Sequence, residues 1–149
     1  MRRHRDWSCD PALGDLLEDQ RAIYMAKLDG RTRDQQGYTK NDMTRQFPHD
    51  IDLADDVLAP VVETVGEDAS MIDIGTGIGT FAVLGAHHGI QATGIERDEL
   101  PYQVATGLQD TIEDENFLEA ELAYVNDDFY DWAEDDDKTL GEADIVVAY

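Results

Sequence analysis

Residues 71 to 79 read Met71-Ile72-Asp73-Ile74-Gly75-Thr76-Gly77-Ile78-Gly79, a carboxylate two positions ahead of three alternating glycines. A short apolar run precedes them and an apolar stretch follows. Glycine has no Cβ, so a chain leaving a strand here can turn sharply and bring its amides close to a ligand. Asp73 adds a carboxylate at the strand's end, and a helix starting near Gly79 would aim its positive end and free amides at the same place. The chemistry offered is the cradling of a nucleotide-type cofactor. A dinucleotide loop wants a glycine three places after its second, where this chain has Thr80, so the spelling argues against a nicotinamide-dependent oxidoreductase.

Such a loop needs a second acid one βα unit on, at the end of the next strand, to accept the ribose hydroxyls. Gln91-Ala92-Thr93-Gly94-Ile95-Glu96 provides it, with Glu96 lying 23 positions beyond Asp73. The geometry asks for about 20. A negative charge there would also repel a 2′-phosphate. The next apolar run, residues 121–125, reads as a third strand, and Asn126-Asp127-Asp128-Phe129 follows it.

On these residues the chain resembles the class I, seven-strand S-adenosylmethionine-dependent methyltransferases, whose first motif has the acid-x-Gly-x-Gly-x-Gly form. The resemblance covers residues 50–149. It implies an α/β, Rossmann-like three-layer sandwich with a mainly parallel sheet, and S-adenosyl-L-methionine as cofactor. It further implies a loop of Asp73, Gly75, Thr76, Gly77 and Gly79 around that cofactor, and Glu96 with Arg97 at its ribose. Asp127 or Asp128 would meet the adenine amino group, with Phe129 flanking the ring. The corner Gly94-Ile95-Glu96-Arg97, Tyr102 and the Asn126 to Phe129 segment are similar to the protein-lysine branch of that class. This implies methyl transfer to a protein nucleophile, lysine among them. An RNA or small-molecule acceptor, and a cofactor-binding module without catalysis of its own, stay open. No residue is assigned as catalytic, because in that class the acceptor pocket follows strand four, here residues 143–149 at the end of the sequence. The expectation is a sheet truncated after strand four, either a fragment or one that a partner or second copy completes.

The elements that must position these residues are legible from periodicity. Asp10-Pro11 suits a helix start, and Leu13, Leu16, Leu17, Tyr24 and Leu28 recur at helical spacing up to Asp29-Gly30. Residues 31–50 are polar and read as a loop or lid over the cofactor mouth, with Tyr38, Phe47 and Pro48 either packing the loop or contacting cofactor or substrate. The expected division is therefore an N-terminal helical or lid segment, 1–50, and a cofactor-binding domain, 51–149. A helix over 52–65 should bury Leu53, Val57, Leu58, Val61 and Val65, with Pro60 bending it and Gly66 ending it. The helix after the glycine loop, 79–88, has a slim face of Ala82, Gly85 and Ala86 suited to lying close on a sheet. A further helix, 99–114, presents Leu100, Val104, Leu108 and Ile112, with Pro101 in its first turn. Glu134-Asp135-Asp136-Asp137 reads as a solvated loop.

Composition bounds the partners. At 149 residues the chain is the size of one domain. No run approaches the eighteen or so apolar residues a membrane helix needs, and Met1-Arg2-Arg3-His4-Arg5 leads into Asp6 rather than an apolar signal core, so a cytoplasmic protein without membrane partners is expected. Cys9 is the single cysteine, and His87 with His88 has no further ligands at metal spacing. Net charge is −23, with lysine only at positions 27, 40 and 138. Such a surface is tolerable in molar salt, where the Debye length is about 3 Å, and reads as a halophile's. It does not favour nucleic acid, which is drawn to clustered lysine and arginine.

Overall fold

The structure is a computed structural model, and it describes residues 10–29, 51–66, 68–135 and 137–148. The basic arm, Cys9 and the 31–50 segment with Tyr38, Phe47 and Pro48 lie outside the described residues, as do the side chains of residues 51–55 and 136–139.

The elements run α1 (Pro11–Asp29), α2 (Ile51–Val65), β1 (Ser70–Ile74), α3 (Thr80–His87), β2 (Gln91–Ile95), α4 (Glu99–Asp114), β3 (Leu122–Val125), α5 (Phe129–Asp135), α6 (Asp137–Glu142) and β4 (Ile145–Ala148). The four strands are all parallel, in the order β3-β2-β1-β4. From β1 the chain steps outward through β2 to β3, then crosses back to lie on the other side of β1. That reversal puts the switch point of the sheet at β1, and the carboxyl end of such a strand is where doubly wound sheets receive ligands.

Side chains alternate across the strands and build the two outer layers. Met71, Ala92, Leu122 and Ile145 face one way, into a core with Leu13 and Leu17 of α1, Leu58 and Val62 of α2, most of α3, and Ile112 of α4. Ile72 and Ile95 face the other way, against Trp132 of α5, with Phe129, Ala133 and Leu140 around it. The fold is α/β, Rossmann-like and three-layered, as expected.

Most sequence-based boundaries hold to within two residues. Asp10 accepts a hydrogen bond from the Ala12 amide (2.9 Å) at the start of α1. Gly66, at φ +81°, ends α2 by donating to the Val62 carbonyl (2.9 Å). The slim face of α3 lies on the sheet: a Cβ on Gly85 would sit 2.7 Å from the Met71 methyl carbon.

Two expectations are corrected. Among the described side chains of α2 the buried residues are Leu58, Ala59 and Val62, whereas Val57 and Val65 are exposed and Leu53 lies outside the described side chains. An i, i+4 pair centred on Leu58 and Val62 meets α1 and α3, and the 57, 61, 65 row lies at the margin of that stripe, with Val61 only half-buried. The described residues of the acidic run, Glu134, Asp135 and Asp137, are helical rather than loop. They close α5 and open α6, because Trp132 (7% exposed) docks α5 on the sheet while Glu134 and Asp135 stay in solvent.

Candidate functional site

The loop leaving β1 folds over the carboxyl end of β2. Gly75 and Thr76 both donate their amides to the Ile95 carbonyl (2.9 and 3.0 Å), and Gly79 donates to the Thr76 carbonyl (2.9 Å). Gly75, Gly77 and Gly79 all have positive φ (+69°, +60° and +89°), which an L side chain would strain. Where a Cβ would stand on Gly75 or Gly77 there is open space, so these two positions leave room for a ligand against the backbone.

Register places three residues in a row beneath the loop. Asp73 pairs with Gly94 across β1 and β2, and Gly94 with Tyr124 across β2 and β3. Gly94 is the socket of this row: a Cβ there would lie 2.7 Å from Thr76 Oγ1 and 2.8 Å from Thr76 Cγ2. Seated in that gap, the Thr76 hydroxyl donates to Asp73 Oδ2 (2.7 Å). Tyr124 occupies the space a side chain on Gly79 would need, its ring 2.6 Å from that Cβ position, and its hydroxyl donates to the Gly79 carbonyl (3.3 Å). Gly75 and Gly77 therefore face open space, while Gly79 faces the protein's own tyrosine.

Glu96 turns toward this loop. Its Oε2 accepts the Gly77 amide (2.8 Å) and its Oε1 the Asp98 amide (2.8 Å). Asn126, at the end of β3, donates from Nδ2 to the carbonyls of Glu96 (2.9 Å) and Arg97 (3.1 Å), clamping the corner that carries this carboxylate. The Arg97 side chain is 64% exposed at the rim, with Nε 3.6 Å from Asp98. Asp127 accepts the Asp128 amide (2.8 Å), and Asp128 accepts the Tyr130 amide (2.9 Å), which makes Asp128 a cap for α5. Phe129 begins α5 half-buried, with its ring 6.2 Å from that of Trp132.

Two carboxylates are thus buried at one loop, Asp73 at 2% and Glu96 at 8% exposure. Burial pushes the Asp73 carboxyl up to about 7; the Thr76 hydroxyl pulls the other way and the Glu96 charge adds to the rise. Burial also raises Glu96, against the two amide hydrogen bonds it receives. The Tyr124 hydroxyl is raised by burial first and then by the charges of Asp73 and Glu113. At the positive end of α3, Gly79 supplies no side-chain cap.

The structure therefore brings Asp73, Gly75, Thr76, Gly77, Gly79 and Glu96 together. Arg97, Asp127, Asp128 and Phe129 follow at the ends of the neighbouring strands. Gly94, Tyr124 and Asn126 also shape the site, although the sequence showed Gly94 and Asn126 only as members of resembling segments and Tyr124 only as part of a strand. A glycine inside a strand is a signal of close backbone approach, and Gly94 carried that signal.

No known protein family's sequence profile matches the chain. No curated protein matches it either. Among solved structures, WbdD bound to the kinase inhibitor LY294002 aligns with 56% of this chain at 19% identity and a TM-score of 0.43. A second structure describes WbdD as a bifunctional kinase-methyltransferase. The Pyrococcus abyssi tRNA (uracil-54, C5)-methyltransferase, solved with S-adenosyl-L-homocysteine, aligns with 50% at 24% identity and a TM-score of 0.35. YjhP from E. coli aligns with 46% at 21% identity and a TM-score of 0.35. The aligned part spans 18% of the WbdD chain, 18% of the tRNA methyltransferase and 28% of YjhP.

Proposed function

We propose that this chain carries the S-adenosyl-L-methionine site of a methyltransferase that modifies a protein nucleophile, with a lysine amine as the acceptor. The observation that carries the cofactor assignment is Glu96, which reaches from the end of β2 to the Gly77 amide beside the switch point of the sheet. The residues fit such a cofactor. Each Glu96 oxygen accepts one amide and keeps a lone pair for a ribose hydroxyl. The space at Gly75 and Gly77 admits a ligand against the loop, and the uncapped end of α3 favours a carboxylate.

When bound, the cofactor supplies a methyl group already activated by positive charge on sulfur, so the protein's task is to hold donor and acceptor in line. Asp73 fixes Thr76 and with it the shape of the loop, while Asn126 fixes the Glu96 corner. Asp127 is the acid for the adenine amino group in this reading, because the Asp128 carboxylate caps α5. The acidic surface supports a protein acceptor over RNA, whose phosphates it would repel.

Calorimetry in molar salt tests the cofactor: saturable binding of S-adenosylmethionine and S-adenosylhomocysteine is expected, and binding of NAD instead would refute the site. Glu96→Ala should weaken cofactor binding by about 1 to 3 kcal/mol, roughly 5- to 150-fold, since it orphans two amides and removes the ribose acceptor. Unchanged affinity in that variant would remove Glu96 from the site. Tritiated methyl transfer in a host lysate tests the acceptor. Label that survives nuclease and is lost to protease supports a protein, and label lost to nuclease overturns that choice.

A further inference from the structure

Asp73 and Glu96 end adjacent parallel strands and hold consecutive loop residues, one through the Thr76 hydroxyl and the other through the Gly77 amide. Two acids therefore share a single enclosed corner. We propose that cofactor charge and a proton compete for this corner: the sulfonium cofactor displaces a proton from the Asp73 and Glu96 pair, whereas its demethylated, uncharged-sulfur product does not. The inference rests on the proposed function and adds a basis for telling substrate from product at the same site.

The charged and titratable groups around the pair bear this out. From the loop comes the Thr76 hydroxyl, and from β2's end come Arg97 and Asp98, with Arg97 largely in solvent. From β3 comes the Tyr124 hydroxyl, itself raised by burial and by Asp73, and behind it lies Glu113 of α4. Tyr24 of α1 packs against Ile78 in the loop. The histidines of α3 lie at its far end, with His87 Nδ1 at 2.6 Å from the Phe117 carbonyl. Among the described residues the positive charge that acts on Glu96 is Arg97, and Asp73 is set first by its burial, then by the Thr76 hydroxyl and the Glu96 charge. Near neutrality this corner is short of one positive charge, and burial makes up the deficit with a proton, carrying Asp73 to about 7.

A cation placed over the loop replaces that proton, and linkage makes the effect reciprocal: what the ligand does to the proton, pH must do to the ligand. Affinity for S-adenosylmethionine should then rise with pH by up to tenfold per unit below the carboxylate titration and level off above it. Affinity for S-adenosylhomocysteine should change much less, so preference for the methyl donor grows from pH 6 to pH 8.

The test is calorimetry of both ligands on the full chain, at constant molar salt, from pH 6 to 8 in two buffers of different ionisation enthalpy. About half a proton released per S-adenosylmethionine near pH 7, and distinctly less for the homocysteine, is the expected result. Asp73→Asn, which keeps an acceptor for Thr76, should abolish the release; Glu96→Gln should reduce it. Equal release for the two ligands, or wild-type binding of both that ignores pH, would overturn the inference while leaving the cofactor site standing. If Asp73→Asn does not fold or bind, the comparison of the two ligands on the wild-type chain still decides. Absence of binding by either ligand at every pH would overturn the proposed function and this inference with it.

Discussion

Asp73 in the fold keeps its proton up to about 7, whereas an exposed aspartate releases it near 3.8. Between those values the native chain binds more protons than the unfolded one, so this group makes stability fall as pH rises. The loss begins near pH 4, is complete a little above pH 7, and amounts to about 4 kcal/mol. Asp73→Asn removes the titration and keeps the Thr76 hydrogen bond. Denaturant titrations should show the variant gaining on wild type steadily from pH 4 to 7 and holding its lead at pH 8. A constant difference across that range would mean that Asp73 is not buried as a carboxyl. The glycines divide in a comparable way. At Gly77 a methyl group meets nothing, so Gly77→Ala should cost only the strain of its positive φ, about 1 to 2 kcal/mol. At Gly94 the methyl meets Thr76, and Gly94→Ala should cost about 1 to 3 kcal/mol and also shift the loop. Double substitution with Thr76→Gly, which empties the socket, should recover part of that loss. A Gly94→Ala loss that Thr76→Gly leaves undiminished, measured by chemical denaturation, would contradict the seating of Thr76 over Gly94.

Among the elements, α5 is one whose sequence misleads. Its last residues belong to a run of acids that reads as loop, yet the helix is fixed from its first turn, by the Asp128 cap and by Trp132 against Ile72 and Ile95. Trp132→Ala should therefore cost about 3 to 5 kcal/mol, while Glu134→Ala in the same helix should stay within about 0.5 kcal/mol. A neutral Trp132→Ala, read by denaturation, would show that α5 is not docked on the sheet. The contrast explains what was legible in the sequence. β1, β2 and the loop between them could be read because alternation, glycine spacing and the acid at the strand's end are local signals. The same holds for α1, α3 and α4. Three features depend on register between strands, which local signals do not report: Thr76 as the residue seated at Gly94, Tyr124 against Gly79, and Asn126 holding the Glu96 corner. The buried stripe of α2 was misplaced because apolar periodicity gives two overlapping rows, 57-61-65 and 58-62, and only contact with α1 and α3 decides between them.

For the whole molecule, the dominant fact is a net charge of −23 on 149 residues. Among the described residues no helix is long and apolar enough to cross a membrane, and the acids lie mainly on the outer faces of the helices. Charges of one sign at such density repel one another more in the compact state than in the expanded one, so the fold carries an electrostatic penalty that salt relieves. Screening acts mainly as the Debye length falls from about 10 Å at 0.1 M to about 3 Å at 1 M. The melting temperature should accordingly climb steeply up to about 1 M potassium chloride and more slowly beyond, where only exclusion of salt from the surface remains. Sodium chloride should trace the same steep part, because screening depends on ionic strength rather than on the ion. Replacing Glu115 and Glu119, both exposed, with lysine should raise the melting temperature in 0.1 M salt and flatten the climb. A wild-type melting temperature indifferent to salt would mean that the acids repel no more strongly folded than unfolded. The same field reaches the buried pair, since a more negative surround holds protons more tightly. Lowering the salt should therefore move the pH at which Asp73 titrates upward, and carboxyl NMR of the full chain at two ionic strengths would read that displacement directly.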